Sequence, residues 1–418
     1  MVSTATVITL LVALACVSCD NLPGFTLETT NGESILSTEG GKLKAFGGKL
    51  YYLAGVQLCQ GVPGAVNLYD KTMKIWDPAT EKWSNGSAYS GTAFAYFGAA
   101  VHTASGTIWY YGGVNLNCAL TSISVAPATF RVYNIASDSW STVTPSNTGP
   151  GKIIGEGLEA VGDKLILAGG ISGAFVGKNF IYSYDINTNT WTLLKANNPA
   201  TGFHPMFNFP FTYIPYFFET SGDNIIYGFN GDLAPTDTSN TPLTALWQFN
   251  LTDNQFTLLS ANATPDSTQI SYGTYEHILM RFGGDDPTAP RCSNAYGSAD
   301  NAESDMYVFD LRNPVNGVFR QVNYDSSTMH AVKGSAFTTV GRILNNLSGH
   351  AFVNCSSDGA TDGVIVNYTD LNTFPLNRLL VSSTRNKLFD FTKSHTAPKH
   401  FIDALATISS WCDDPVDC

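Results

Sequence analysis

Positive charge is scarce in this chain. Its 418 residues carry 22 Lys and Arg against 34 Asp and Glu, giving a formal net charge of −12 and a pI near 4.9. That balance excludes nucleic acid and anionic membrane surfaces as partners. The acidic residues are scattered rather than grouped in runs, so they serve solubility. Long apolar stretches are missing beyond the first residues. None approaches the roughly 18 residues that a spanning helix needs, so no membrane insertion is expected. No Cys-x-x-Cys, Gly-x-Ser-x-Gly, His-Glu-x-x-His or phosphate-cradling glycine loop occurs, which removes the short zinc, thiol-redox, hydrolase and nucleotide signatures. The seven His, at 102, 204, 277, 330, 350, 395 and 400, offer no pair at ligand spacing except His395 and His400 in the tail. No metal and no cofactor is therefore expected.

Residues 1–19 read as a secretory signal peptide, with the apolar core VITLLVALACV and small residues near Ser18. Cysteine usage agrees with an oxidising compartment, because removing Cys16 and Cys19 leaves an even six: Cys59, Cys118, Cys292, Cys355, Cys412 and Cys418. Six Asn-x-Ser/Thr sequons stand at Asn85, Asn250, Asn262, Asn346, Asn354 and Asn367. Beside a leader they point to a secreted glycoprotein, although Asn and Ser are also ordinary turn residues, and Asn346 and Asn367 fall where strands are expected.

Low charge, at 13%, and 12% aromatic residues suit many short packed strands. The stretch 160–194, AVGDKLILAGGISGAFVGKNFIYSYDINTNTWTLL, shows how they are organised. An apolar run ends at Gly169-Gly170, a second strand closes in a polar turn, and Trp191 opens the next strand. The anchor aromatic recurs at Trp83, Trp140, Trp191, Phe256, Phe319 and Phe374. Upstream of these lie the runs KLYYLAG, TIWYYGG, KLILAGG, NIIYGFNG, ILMRFGG and RILNNLSG. Six repeats are counted. Each is a set of four antiparallel strands that cannot bury both faces without neighbouring copies.

The order of Gly pair, Tyr-Asp-like turn and Trp resembles the kelch repeat, whose period is about 50 residues. The resemblance covers roughly residues 43–380. It implies an all-β, six-bladed kelch-type propeller of four-stranded antiparallel blades spanning residues 20–392, followed by a helical tail with a Cys pair at 393–418. The tail helix would start near Thr396-Ala397-Pro398 and present Phe401, Leu405, Ile408 and Cys412 on one face. Either the N-terminal segment GFTLETT or residues 377–383 could close the last blade.

Repeat register also organises the cysteines. Cys59 and Cys118 follow Gly55 and Gly113 at nearly the same offset, and Cys292 and Cys355 follow Gly284 and Gly349. The expected bridges are Cys59–Cys118, Cys292–Cys355 and a local Cys412–Cys418. Loops between second and third strands are long, at 114–129, 232–244 and 285–304, and such loops carry binding in rigid scaffolds. The connection 203–218, FHPMFNFPFTYIPYFF, reads first as inter-blade core and second as an aromatic platform.

Counting three positions back from the turn before each second strand gives Lys44, His102, Glu159, Glu219, Gly273 and Thr338. Lys44, His102, Glu159, Glu219 and Thr338 are thus expected to line a central channel. If the channel were catalytic, repulsion between Glu159 and Glu219 would raise one of them into a general acid, with His102 as base. A copper-radical oxidase of the same fold would need a Tyr–Cys cross-link and His ligands that this chain does not supply. Sugar-isomerising relatives would use a polar channel cluster. The reading is therefore a secreted propeller that binds an extracellular protein or glycan through its loops, as a matrix or cell-surface module. The alternative is a carbohydrate-active oxidase or isomerase.

Overall fold

A computed structural model describes residues 26–28, 31–32, 40–57, 68–116, 123–174, 176–197, 206–207, 211–213, 225–229, 232–233, 244–263, 271–275, 277–286, 292–294, 297–299, 301–302, 304–312, 315, 317–322, 324, 336–340, 343–353 and 364–375. Every regular element among them is a strand. The chain divides into the units Met1–Phe374 and Pro375–Cys418. The leader, Glu219, Cys59, Cys118, Cys355, Cys412, Cys418, Asn354 and the expected tail helix lie outside the described residues.

Each repeat folds as an antiparallel meander, inner strand to outer strand. Blade 1 runs Lys42–Phe46, Lys49–Leu53, Thr72–Asp77 and Lys82–Ala88, and blade 2 runs Gly98–His102, Thr107–Tyr111, Phe130–Asn134 and Ser139–Val143. Blade 3 runs Gly157–Val161, Lys164–Ala168, Ile181–Asp185 and Thr190–Lys195. Blade 4 runs Phe211–Tyr213, Ile225–Phe229, Leu246–Asn250 and Gln255–Ser260, and blade 5 runs Ser271–Tyr275, Ile278–Phe282, Met306–Asp310 and Arg320–Gln321. The last sheet is Ala336–Val340, Ile343–Val353 and Val364–Pro375, completed by Thr26–Glu28 from the start of the chain. Where six four-stranded blades were expected, five sheets are four-stranded. The sheet of repeat 1 carries a fifth strand, because Asn31–Gly32 adds in parallel to Lys82 and Trp83.

Blades stack face to face, which is why second strands are largely apolar instead of alternating: Thr107–Tyr111 and Ile278–Phe282 are buried throughout, Thr107 and Arg281 included. Blades 1 and 2 share a cluster with Tyr51, Met73, Phe97, Tyr110 and Tyr133. Blades 2 and 3 meet through Trp109, Phe130, Tyr184 and Trp191. Ile166 and Ile181 meet Ile226 and Phe249 between blades 3 and 4. Tyr227 and Leu246 meet Leu279 and Phe309 between blades 4 and 5. Phe282 stacks with Phe337 between blade 5 and the last sheet, and Ala336 and Leu347 reach Tyr52 and Trp83 of blade 1. The ring is closed, and the architecture is a β-propeller.

The repeated turn and aromatic have one local explanation. Trp83, Trp140, Trp191 and Phe256 each pair across the outer hairpin with an aromatic partner, respectively Trp76, Tyr133, Tyr184 and Phe249. Two residues before each anchor, Glu81, Asp138, Asn189 and Asn254 sit at φ of 52°, 46°, 57° and 57°. Asn and Asp tolerate this left-handed conformation best among non-glycine residues. In blades 2 and 3 the third-strand tyrosine secures the turn: Tyr133 donates to Asp138 at 2.7 Å and Tyr184 to Asn189 at 2.6 Å.

Candidate functional site: the central channel and the loop face

Five-residue inner strands bring their middle positions to a common level. Lys44, Glu159, Gly273 and Thr338 pair with Tyr51, Ile166, Met280 and Asn345, each the third residue of its second strand. All four line one cavity of about 200 Å³. The same level in blade 2 is Ala100, opposite Trp109, and in blade 4 it is Thr212, opposite Tyr227. His102 is thereby corrected: it pairs with Thr107 at the end of its strand. The reason is turn length, since residues 103–106 separate these strands where only Gly47-Gly48 and Gly162-Asp163 do so in blades 1 and 3.

His102 instead ties two turns together. Its Nε2 lies 3.1 Å from the Asp163 carboxylate and its Nδ1 2.6 Å from the Ser105 hydroxyl. Ser105 continues to Thr107, whose hydroxyl accepts from the Trp109 indole at 2.9 Å. With Asn187 donating to its other oxygen, the Asp163 carboxyl is held below its ordinary range, first by Asn187 and then by His102.

Within the cavity, the Lys44 ammonium lies 3.9 Å from Glu159 Oε1, so an ion pair spans from blade 1 to blade 3 past the small side chain of Ala100. Both side chains keep 20% of their exposure. Burial raises the Glu159 carboxyl above its usual value, opposed by Lys44 and then Lys42. Two residues nearer the start of its strand, Lys42 also lines the cavity, and burial with the adjacent Lys44 charge lowers its amine to about 8. Neither Lys42 nor the residue next described stood out in the repeat register.

Glu156 precedes the inner strand of blade 3 and is 4% exposed. Its Oε1 accepts from the Gly98 amide at 3.0 Å, while its buried Oε2 has no hydrogen-bond partner. Burial lifts this carboxyl to about 7. A side chain at Gly112 would stand 2.5 Å from Glu156 Oε1, so the first glycine of that pair makes room for the carboxylate as well as supplying its φ of +62°. The Gly112 carbonyl accepts from Arg131 at 2.9 Å, and the guanidinium lies 5.0 Å from the Phe97 ring centre. A charged residue flanked by glycines, Gly155-Glu156-Gly157, was the available signal. Among the described residues, no group of His, Cys, Asp and Glu could hold a metal, and no helix is long and apolar enough to cross a membrane.

A second feature grows from the Gly pairs. Gly112 and Gly113, Gly169 and Gly170, and Gly283 and Gly284 all have positive φ, and the chain leaves each blade there to form a short ladder. Val56–Gln57 pairs with Leu68–Tyr69, Val114–Leu116 with Ile123–Val125, Ile171–Ser172 with Ile153–Ile154, Asp232–Leu233 with Met206–Phe207, and Asp285–Asp286 with Asn301–Ala302. Cys292 lies in a further ladder, Cys292–Asn294 with Gly297–Ala299. These ladders are linked laterally. The Tyr69 hydroxyl donates to the Leu116 carbonyl and accepts from its amide, at 3.2 and 2.7 Å, and Gly173 lies against Val125. Leu68, Ile123 and Val176, one from each of blades 1 to 3, are 49%, 40% and 43% exposed.

No family model matches the chain, and no curated protein matches it. A solved structure described as "Structure of YjhT" is similar over 80% of this chain and 95% of that one, with 14% identity and a TM-score of 0.54. The likeness is one of fold. It agrees with the β-propeller built above and carries no activity across.

Of the sequons, Asn85 and Asn262 are exposed and Asn250 is partly buried. Asn85 Oδ1 accepts from the Lys74 ammonium at 2.6 Å, and Asn250 Oδ1 accepts from the Thr252 amide at 2.7 Å. Asn346 and Asn367 fall within strands.

Proposed function

We propose that this protein is a secreted, kelch-type propeller that recognises an extracellular protein through its loop face. The observation that carries the reading is the laterally joined row of ladders over blades 1 to 3, with Leu68, Ile123 and Val176 exposed along it. Aliphatic side chains on two ordered ladders, Leu68 and Ile123, and on the loop that follows a third, Val176, suit a protein partner. A glycan partner would be met by aromatic stacking surfaces, and none of the large exposed apolar residues described is aromatic. Secretion is supported by the apolar leader, by six cysteines in the remaining chain and by the sequons, of which Asn85 and Asn262 are accessible. The bridges Cys59–Cys118, Cys292–Cys355 and Cys412–Cys418 belong to the same reading, and non-reducing peptide mapping tests them.

The direct experiment screens the secreted chain against panels of extracellular proteins and glycans, then repeats it with Leu68→Ser, Ile123→Ser and Val176→Ser combined. The variant should keep its melting temperature and lose its protein partner. Retained affinity, or binding seen only on the glycan panel, overturns the assignment of this face.

A further inference from the structure

Lys42 is a half-buried amine with no ion-pair partner among the described residues. It lines the channel cavity. Its neighbour Lys44 is engaged with Glu159 at 3.9 Å. Among the described residues, the Lys42 ammonium itself has neither a carboxylate within ion-pair distance nor a hydrogen-bond acceptor. A lysine that is desolvated and set beside a second cation is the arrangement that exposes the nitrogen lone pair. We propose that Lys42 is a nucleophilic amine that captures small aldehydes inside the channel cavity as imines. This stands apart from the loop-face reading, since it uses a different surface.

The chemistry balances without a co-reactant. The Lys42 nitrogen lone pair adds to the carbonyl carbon while the C=O π pair moves onto oxygen, and one N–H proton passes to that oxygen to give a carbinolamine. The C–O bond then breaks, the second N–H proton leaves with the oxygen as water, and a C=N bond remains. Nothing is oxidised or reduced. Glu159, in the same cavity, is placed to pass the proton between the nitrogen and the departing oxygen.

Among the described residues, the charged groups acting on Lys42 are few. Lys44 on its own strand disfavours the ammonium, while Glu156 and Glu159 from blade 3 favour it less strongly than burial opposes it. Blade 5 and the last sheet present Ser271, Tyr272, Thr274, Thr338 and Thr339, none charged at neutral pH. With its amine near 8, about a fifth of Lys42 is neutral at pH 7.4, against roughly one part in a thousand for an ordinary lysine. A cavity of about 200 Å³ sets the size of the aldehyde, because it is smaller than the roughly 300 Å³ at which drug-sized pockets begin.

Brief treatment of the full chain with acetaldehyde and cyanoborohydride, followed by peptide mass spectrometry, reads the capture at each lysine. Lys42 should be ethylated at least tenfold faster at pH 7 than the exposed Lys82 and Lys164, with a pH–rate midpoint near 8. Dextran bearing aldehyde groups should not reproduce that preference, being too large for the cavity. Lys44→Met should slow capture several-fold at pH 7 and move the midpoint upward, and Lys42→Arg should remove the fast site. The proposal is overturned if wild-type Lys42 reacts at the surface rate, if its midpoint lies at 10 or above, or if dextran aldehyde labels it equally fast. Those three measurements need no variant, so misfolding of a substituted chain cannot shelter it.

Discussion

Trp191, in the outer strand of blade 3, stacks on Phe130, in the third strand of blade 2, with ring centres 5.4 Å apart and planes 20° from parallel. The same indole touches Tyr111 edge-on at 5.5 Å and Tyr184 at 5.2 Å, and only 5% of it is exposed. The anchor aromatic of the repeat is therefore an inter-blade contact as much as a hairpin contact. Trp191→Ala should cost about 3–5 kcal/mol in chemical denaturation. A loss below about 0.5 kcal/mol, typical of surface positions, would contradict that packing.

Glu81 occupies a left-handed turn position, φ 52°, where the equivalent residues are Asp138, Asn189 and Asn254. Its side chain is exposed. Glu81→Asn should therefore stabilise the fold, by about 0.5–1 kcal/mol, because Asn enters this conformation at lower cost. Equilibrium unfolding in urea measures it, and a destabilisation would show that the Glu81 side chain contributes a contact of its own.

Glu156 predicts a pH dependence of stability. Burial holds its proton in the folded state up to about 7, against 4.5 for the ordinary carboxyl. Between those values the folded chain binds more protons than the unfolded one, so stability falls as pH rises through the window. The full effect is about 3 kcal/mol. Glu156→Gln removes the titration, so its unfolding free energy should be flatter than wild type from pH 4.5 to 7. Parallel curves for the two proteins would place the titration elsewhere.

The ion pair of Lys44 with Glu159 is partly hydrated, each side chain retaining 20% of its exposure. Such pairs contribute little, so Glu159→Gln should cost less than about 1 kcal/mol. Loss of the folded state would mean that the pair is a structural tie across the channel.

Repeats, Gly pairs and anchor aromatics were legible because they are local: a strand, a bend and an aromatic within a dozen residues. Register across the channel was legible in part, since Lys44, Glu159, Gly273 and Thr338 do stand at one level. His102 was aligned with Lys44 and Glu159 by assuming a two-residue turn, and the actual four-residue turn moves it two places along. The Lys44 to Glu159 pair joins non-adjacent blades, and nothing in either repeat announces such a partner. Glu156 was hidden by its neighbours, because a charged residue between glycines at a strand start looks like an ordinary surface turn. The sequence also left closure open between the two ends of the chain, and the pairing of Thr26–Glu28 with Leu371–Thr373 decides for the N-terminal segment.

That pairing has a temporal meaning. Thr26–Glu28 lies in the last sheet and Asn31–Gly32 in the first, so one short N-terminal stretch clasps both ends of the series. Among the described strands, translation delivers the clasp first and its partner, Val364–Pro375, last. Every earlier blade can stack on its predecessor while the ribosome is still at work, yet the clasp must wait with its edge unmatched for more than three hundred codons. A message truncated shortly before residue 364 would thus release a chain that holds every other described strand but has lost the one that Thr26–Glu28 meets.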